Sequence, residues 1–193
     1  MSDELFRNKY RNDTARATWH DYNGGEYFIT ICTKKREHHF GEIFDGTMQL
    51  SALGEYAEQC IKQIPMHNLY AQVPLFVIMP NHIHLIVMID KNMEEIPVGT
   101  CHGASLQMNK KSWRKTMNDK NENMQKIANF QGRLSTMIGG FKQSITRYAR
   151  QHRIPFAWQT RFYDHIIRNR NEMNRIAKYI ENNVAQWEYD ELF

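Results

Sequence analysis

The chain has 193 residues, 41% of them hydrophobic, with a net charge of +4 and a pI near 8.9, enough for one domain with its own core and a mild excess of positive charge. No apolar run approaches the ~20 residues needed to cross a bilayer, and the amino terminus is polar without a signal-like stretch, so no membrane partner and a cytoplasmic location are expected. Cys32, Cys60 and Cys101 are odd in number and far apart, which argues against a disulfide framework or a zinc-finger module.

Residues 1–25 read as a basic arm, with Arg7, Lys9, Arg11 and Arg16, closed by the breaker Asn23-Gly24-Gly25. Residues 27–33 are β-branched and aromatic and predict a first strand that runs into a cationic loop, Lys34-Lys35-Arg36. Short hairpin pieces follow around Phe40-Gly41 and Asp45-Gly46. Ser51 can cap a helix whose stripe is Leu53, Tyr56, Ala57, Cys60, Ile61 and Ile64, with Pro65 expected to stop it. Residues 73–79 and 82–89 predict two strands joined by a tight turn at Pro80-Asn81. The stretch at about 90–131 is polar and lacks a clear period, so it is expected to be an insertion.

From Leu134 a helical period returns through Ile138, Phe141, Ile145 and Tyr148, interrupted by Gly139-Gly140. Residues 158–168 predict a short, irregular fourth strand. Asn169 or Asn171 then caps a last helix whose apolar stripe is Met173, Ile176, Ala177, Ile180 and Val184. The expected organisation is the basic arm at 1–25, a single domain at 26–187 holding the insertion, and a short tail at 188–193. Without the last helix, the order is the β-α-β-β-α-β pattern of an α+β, ferredoxin-like (RRM-like) antiparallel sheet with helices on one face. The other face is then left for a site or a partner.

Between Arg133 and Lys178 there are ten Lys and Arg residues against two acidic ones, Asp164 and Glu172. An imbalance of that size, dominated by arginine, points to a polyanionic partner. Arg147, Arg150, Arg153, Arg161, Arg168, Arg170 and Arg175 are candidates for phosphates, with Trp158, Phe162 or Tyr163 available to stack unpaired bases.

His82 and His84 open a strand two residues apart, so their imidazoles share one face, while Ile83, Leu85 and Val87 on the other face read as core. On the last helix Tyr179 and Asn183, four apart, also share a face and are offset from the core stripe. Two imidazoles and an amide suit a divalent metal that polarises a phosphoryl oxygen. A phenolic oxygen is a competent nucleophile toward phosphorus once its proton is removed. Taken together, these parts fit nucleophilic cleavage of a phosphodiester.

His82-Ile83-His84 before a strand, Gly139-Gly140-Phe141-Lys142, Trp158-Gln159 with Phe162, His165 and Ile167-Arg168, and Tyr179-Ile180 with Asn182-Asn183 together resemble the HUH single-strand DNA tyrosine transposases. They are most similar to the REP-associated branch. The resemblance spans residues 22–187 apart from the insertion. It implies that His82 and His84 are the metal-binding pair, Asn183 a third ligand and Tyr179 the catalytic residue, with magnesium or manganese the expected metal; nitrogen ligands would also admit zinc or nickel. It further implies cleavage of single-stranded DNA beside hairpins through a 5′-phosphotyrosine, rejoining by a 3′-hydroxyl, and action as a monomer or homodimer. The chain departs from the family in lacking a proline after the tyrosine helix. His165 matches a family histidine for which the sequence gives no role.

Two other readings stand beside this one. A non-catalytic nucleic-acid-binding protein on an RRM-like sheet would expose aromatics on its central strands, where this chain has His82 and His84. A metal-dependent phosphodiesterase using water would leave Tyr179 a packing residue.

Overall fold

Eight residues, Gly25–Cys32, form β1 in the computed structural model, which describes residues 20–93 and 113–187, and of 113–131 the backbone alone. The basic arm up to residue 19, residues 94–112 of the expected insertion with Cys101, and the tail at 188–193 lie outside the described residues. After β1 comes the hairpin of β2 (Gly41–Phe44) and β3 (Thr47–Leu50), turned by Asp45-Gly46 with both residues at positive φ, as a two-residue hairpin loop requires. Helix α1 (Ala52–His67) starts where Ser51 accepts from the Gly54 N–H at 3.1 Å. A Cβ on Gly54 would meet the Phe40 carbonyl oxygen at 2.1 Å, so only glycine lets the first turn press against that segment.

Pro65 does not stop α1. The helix runs two residues beyond it to His67, and the Asn68 N–H donates to Ile64 O to close the end. In the last turn proline forgoes one hydrogen bond but leaves little helix beyond it to disrupt.

β4 (Ala71–Ile78) and β5 (His82–Ile89) pair as the Pro80-Asn81 turn predicts, the Met79 N–H donating to His82 O at 2.8 Å. The β4 register slips between Gln72 and Leu75, which places Pro74 in a bulge on an outer strand, a position that spares the sheet its missing N–H. Helix α2 (Trp113–Gln151) covers much of the stretch expected to be an unstructured insertion: absence of an apolar period does not prevent a helix where Lys, Glu, Gln, Met and Arg supply good propensity. It breaks at Gly132, φ 74 and ψ 156, beside Tyr22, and the Leu134 N–H donates to Tyr22 O. No such break occurs at Gly139-Gly140.

β6 (Tyr163–Ile166) is shorter than its sequence signal, because Arg161 takes φ 70 and only an isolated bridge, Thr33 with Trp158, precedes it. Helix α3 (Arg170–Asn182) is capped by Asn169, whose side chain accepts from the Glu172 N–H at 2.9 Å. The sheet order is β4-β5-β1-β6, all antiparallel, which is the α+β, ferredoxin-like arrangement the element order predicts.

The two faces of the sheet carry different layers. Ile29, Ile31, Ile83, Leu85 and Val87 meet Leu53, Ala57 and Ile61 of α1 and Leu134, Ile138, Phe141 and Ile145 of α2 in the main core. Ile86 on the opposite face forms a smaller cluster with Ile176 and Ile180 of α3, flanked by Phe28, Leu75 and Val77. The last helix is therefore docked on the face that holds the histidines. Among the described residues no helix is long and apolar enough to cross a membrane.

Candidate active site

His82 and His84 project from the first turn-proximal residues of β5 toward α3 and are almost fully buried, at 0% and 2% exposure. Their Nε2 atoms are 3.0 Å apart. Burial, with the charge of Arg36 as a lesser cause, lowers the pKa of His82 to about 3, so its imidazole is neutral. Its Nδ1–H donates to Asn81 Oδ1 at 2.7 Å, which leaves Nε2 with its lone pair facing His84.

Nδ1 of His84 lies 2.9 Å from Thr30 Oγ1, and Phe28 stacks on its ring at 5.1 Å. Both partners come from β1, where antiparallel register sets Thr30 opposite His84 and Cys32 opposite His82. A hydroxyl can donate or accept, so Thr30 serves either tautomer of His84.

Across from the pair, α3 lays down one stripe at four-residue steps. The Tyr179 hydroxyl is 3.3 Å from His84 Nε2, its ring edge-on to those of His84 and Phe28. Trp187, one stripe position past Asn183, stacks on His82 with centroids 6.0 Å apart and meets His38 edge-on. Asn183 lies between them on this stripe and is 2% exposed. Helical turns continue past Asn182, the Gln186 N–H donating to Asn182 O, so the absent proline does not deflect this stripe. Tyr179 itself is 41% exposed.

α3 is aimed by its first turn. Glu172 accepts from the Arg168 N–H at 2.9 Å and pairs with His165 Nε2 at 2.7 Å, tying the helix to β6. The Arg168 N–H first, and His165 second, hold the Glu172 carboxyl below its ordinary pKa. This supplies the role for His165 that the sequence leaves blank: it positions the helix that carries Tyr179.

The fit to a metal can be judged on the donors alone. Two neutral-capable imidazole nitrogens 3.0 Å apart have the separation of adjacent ligands around one ion at ~2.1 Å, and each histidine has its other nitrogen held by an oxygen, the usual support of a metal-ligating histidine. Among the described residues no group of three His, Cys, Asp or Glu side chains gathers to hold a metal. Asn183 is the amide on the facing stripe.

The arginines divide between the layers. Arg147 and Arg150 sit on α2 and Arg153 just after it, on the layer that packs against the sheet face opposite the histidines; Arg161, Arg168, Arg170 and Arg175 flank β6 or lie on α3. All seven are exposed. Trp158 is turned inward: its indole N–H donates to Lys142 O at 3.0 Å, with Phe40, Phe141 and Phe156 around the ring, so it packs rather than offering a stacking face. Tyr163, across β1 from the site and 56% exposed, offers one. Sequence reasoning misses Thr30, Asn81, Phe28 and Trp187. The repeat of Tyr179, Asn183 and Trp187 at steps of four is the one signal that marks Trp187.

A protein of Haemophilus influenzae described as uncharacterized is 38% identical to this chain over 170 residues, covering 88% of this chain and 85% of its own length. The chain belongs to that protein's family. No family model matches it. A REP-associated tyrosine transposase solved bound to a REP hairpin superposes on 92% of the chain and 77% of its own length with a TM-score of 0.54 at 13% identity. At that identity the likeness is one of fold, and the family's fold is thus shared with this transposase.

Proposed function

We propose that the chain is a metal-dependent single-strand DNA endonuclease and transposase that cuts beside DNA hairpins with Tyr179 as nucleophile. The observation that carries the reading is the Tyr179 hydroxyl lying 3.3 Å from a histidine whose Nε2 faces that of a second, on a fold shared with a tyrosine transposase.

Tyr179 O–H gives up its proton to water, the nearby His84 Nε2 being the nitrogen that would hold the metal. The phenolate oxygen forms a bond to phosphorus as the bond from phosphorus to the 3′ oxygen breaks. The departing oxygen takes a proton and leaves as a 3′-hydroxyl, and the 5′-phosphate stays on the tyrosine. Attack by another 3′-hydroxyl reverses the step and joins strands, with no external energy source. His82, His84 and Asn183 would hold the divalent ion, magnesium or manganese, which supplies polarisation of the phosphoryl oxygen and neutralises charge developing there. The Tyr179 ring lies edge-on to those of Phe28 and His84, with its oxygen on the side of His84 Nε2.

The test is incubation of the protein with end-labelled single-stranded hairpin oligonucleotides and manganese or magnesium, followed by denaturing electrophoresis. A covalent adduct that disappears in Tyr179→Phe and with a chelator is the expected result. Cleavage retained in Tyr179→Phe overturns the tyrosine and leaves water as the nucleophile. Binding without cleavage leaves a nucleic-acid-binding protein.

A further inference from the structure

The cationic loop that follows β1 enters the site described above only through the charge of Arg36 on His82. Lys34, Lys35 and Arg36 are consecutive and exposed, and they leave β1 at Cys32, the residue paired with His82. The loop is built onto the site. Thr33 is fully buried, its N–H donating to Asn81 O at 2.9 Å and its hydroxyl lying within reach of Asn81 O and Glu37 O. The Lys34 N–H donates to Ala157 O at 2.9 Å. Asn81, on which the loop is hung, is also the residue whose side chain orients His82.

The backbone at Lys35 and Arg36 is left-handed, with φ of 57° at each. Residues with a Cβ adopt that region at a cost and keep it only where their surroundings fix it. Glycine would supply the same turn without strain. Here both positions carry long cationic side chains, and the neighbouring carboxylate of Glu37 is turned to His39 at 3.2 Å.

We propose that the Thr33–Glu37 loop is a phosphate-binding site that grips the backbone of the single strand next to the bond presented to Tyr179, with Lys35 and Arg36 as the contacting cations. The proposal rests on the single-strand DNA reading above for its ligand, and none of the arginines flanking β6 or α3 is needed for it.

Anisotropy of a labelled single-stranded hairpin oligonucleotide, titrated with the full chain at several salt concentrations, tests it on wild type and on the double variant Lys35→Gly/Arg36→Gly. The variant should bind about tenfold more weakly at low salt, and its slope of log affinity against log salt should fall by about 0.7 for each phosphate no longer neutralised. Its melting temperature should not fall, because glycine accepts the left-handed backbone; Arg36→Lys should lie between the two in affinity. Unchanged affinity and slope in the glycine variant, while wild type forms the tyrosine adduct with manganese, overturn the loop site and leave the proposed function standing. A reduced slope in a protein that forms no adduct upholds the site and sinks the nuclease reading. Wild type without affinity for the oligonucleotide overturns both.

Discussion

Thr30 Oγ1 lies 2.9 Å from Nδ1 of His84, on the neighbouring strand and directly opposite in register. The bond engages the nitrogen turned away from His82, and the nitrogen that faces His82 is the one a metal would need bare. Thr30→Val keeps the shape and removes the hydroxyl. We expect manganese affinity, read by calorimetric titration, to drop by about 10- to 100-fold, with the fold retained. An unchanged affinity would show that the Thr30 hydroxyl plays no part in metal binding.

His82 gives a pH prediction with a definite sign. Its ordinary pKa of 6.5 is lowered to about 3 in the fold, by burial first and Arg36 second. Above pH 6.5 it is neutral folded and unfolded and contributes nothing. Below that pH the unfolded chain takes up a proton that the folded chain refuses, so stability falls until the pH reaches about 3. The metal-free protein should lose up to about 1.4 kcal/mol per pH unit more than His82→Gln across this window, as urea unfolding at pH 4 to 6 will measure. Parallel pH profiles for the two proteins would refute it.

Within the chain α3 is seated on the sheet through Ile176 and Ile180, which is enough to bring Tyr179 to His84. A mixture of Tyr179→Phe with His84→Gln, each shown to be folded by its melting curve, should therefore form no covalent adduct. Recovery of adduct in the mixture would mean that copies exchange their tyrosine helices.

Glu172 is the hinge pin between β6 and α3. Glu172→Gln and His165→Ala should each weaken the grip on the first turn of α3 and lower the rate of adduct formation on the order of 10- to 100-fold, with hairpin binding largely kept. A loss of binding equal to the loss of rate would place these residues at the DNA instead.

Much of this architecture is legible in the chain. The alternation through residues 27–33 and 82–89 sets both inner strands, and spacing puts His82 and His84 on one strand face and Tyr179 and Asn183 on one helix face. What escapes is whatever depends on strand register or on a neighbour's shape. Thr30 and Phe28 join the site only because β1 pairs with β5 in one particular frame, which no local pattern encodes. Trp158 looks like a stacking face until its N–H is seen to turn inward. Residues 113–131 read as a structureless insertion because helices announce themselves by burial, and a polar helix leaves no stripe.

The kinked, proline-bearing β4 has a consequence for how copies of this protein meet in a crowded solution. It forms one rim of the sheet, and Pro74, which has no N–H to offer, sits at its register slip between Gln72 and Leu75. The opposite rim is β6, only four residues long. Neither side offers a straight ladder on which a second chain could add a strand, so the sheet resists growing edge to edge into aggregates.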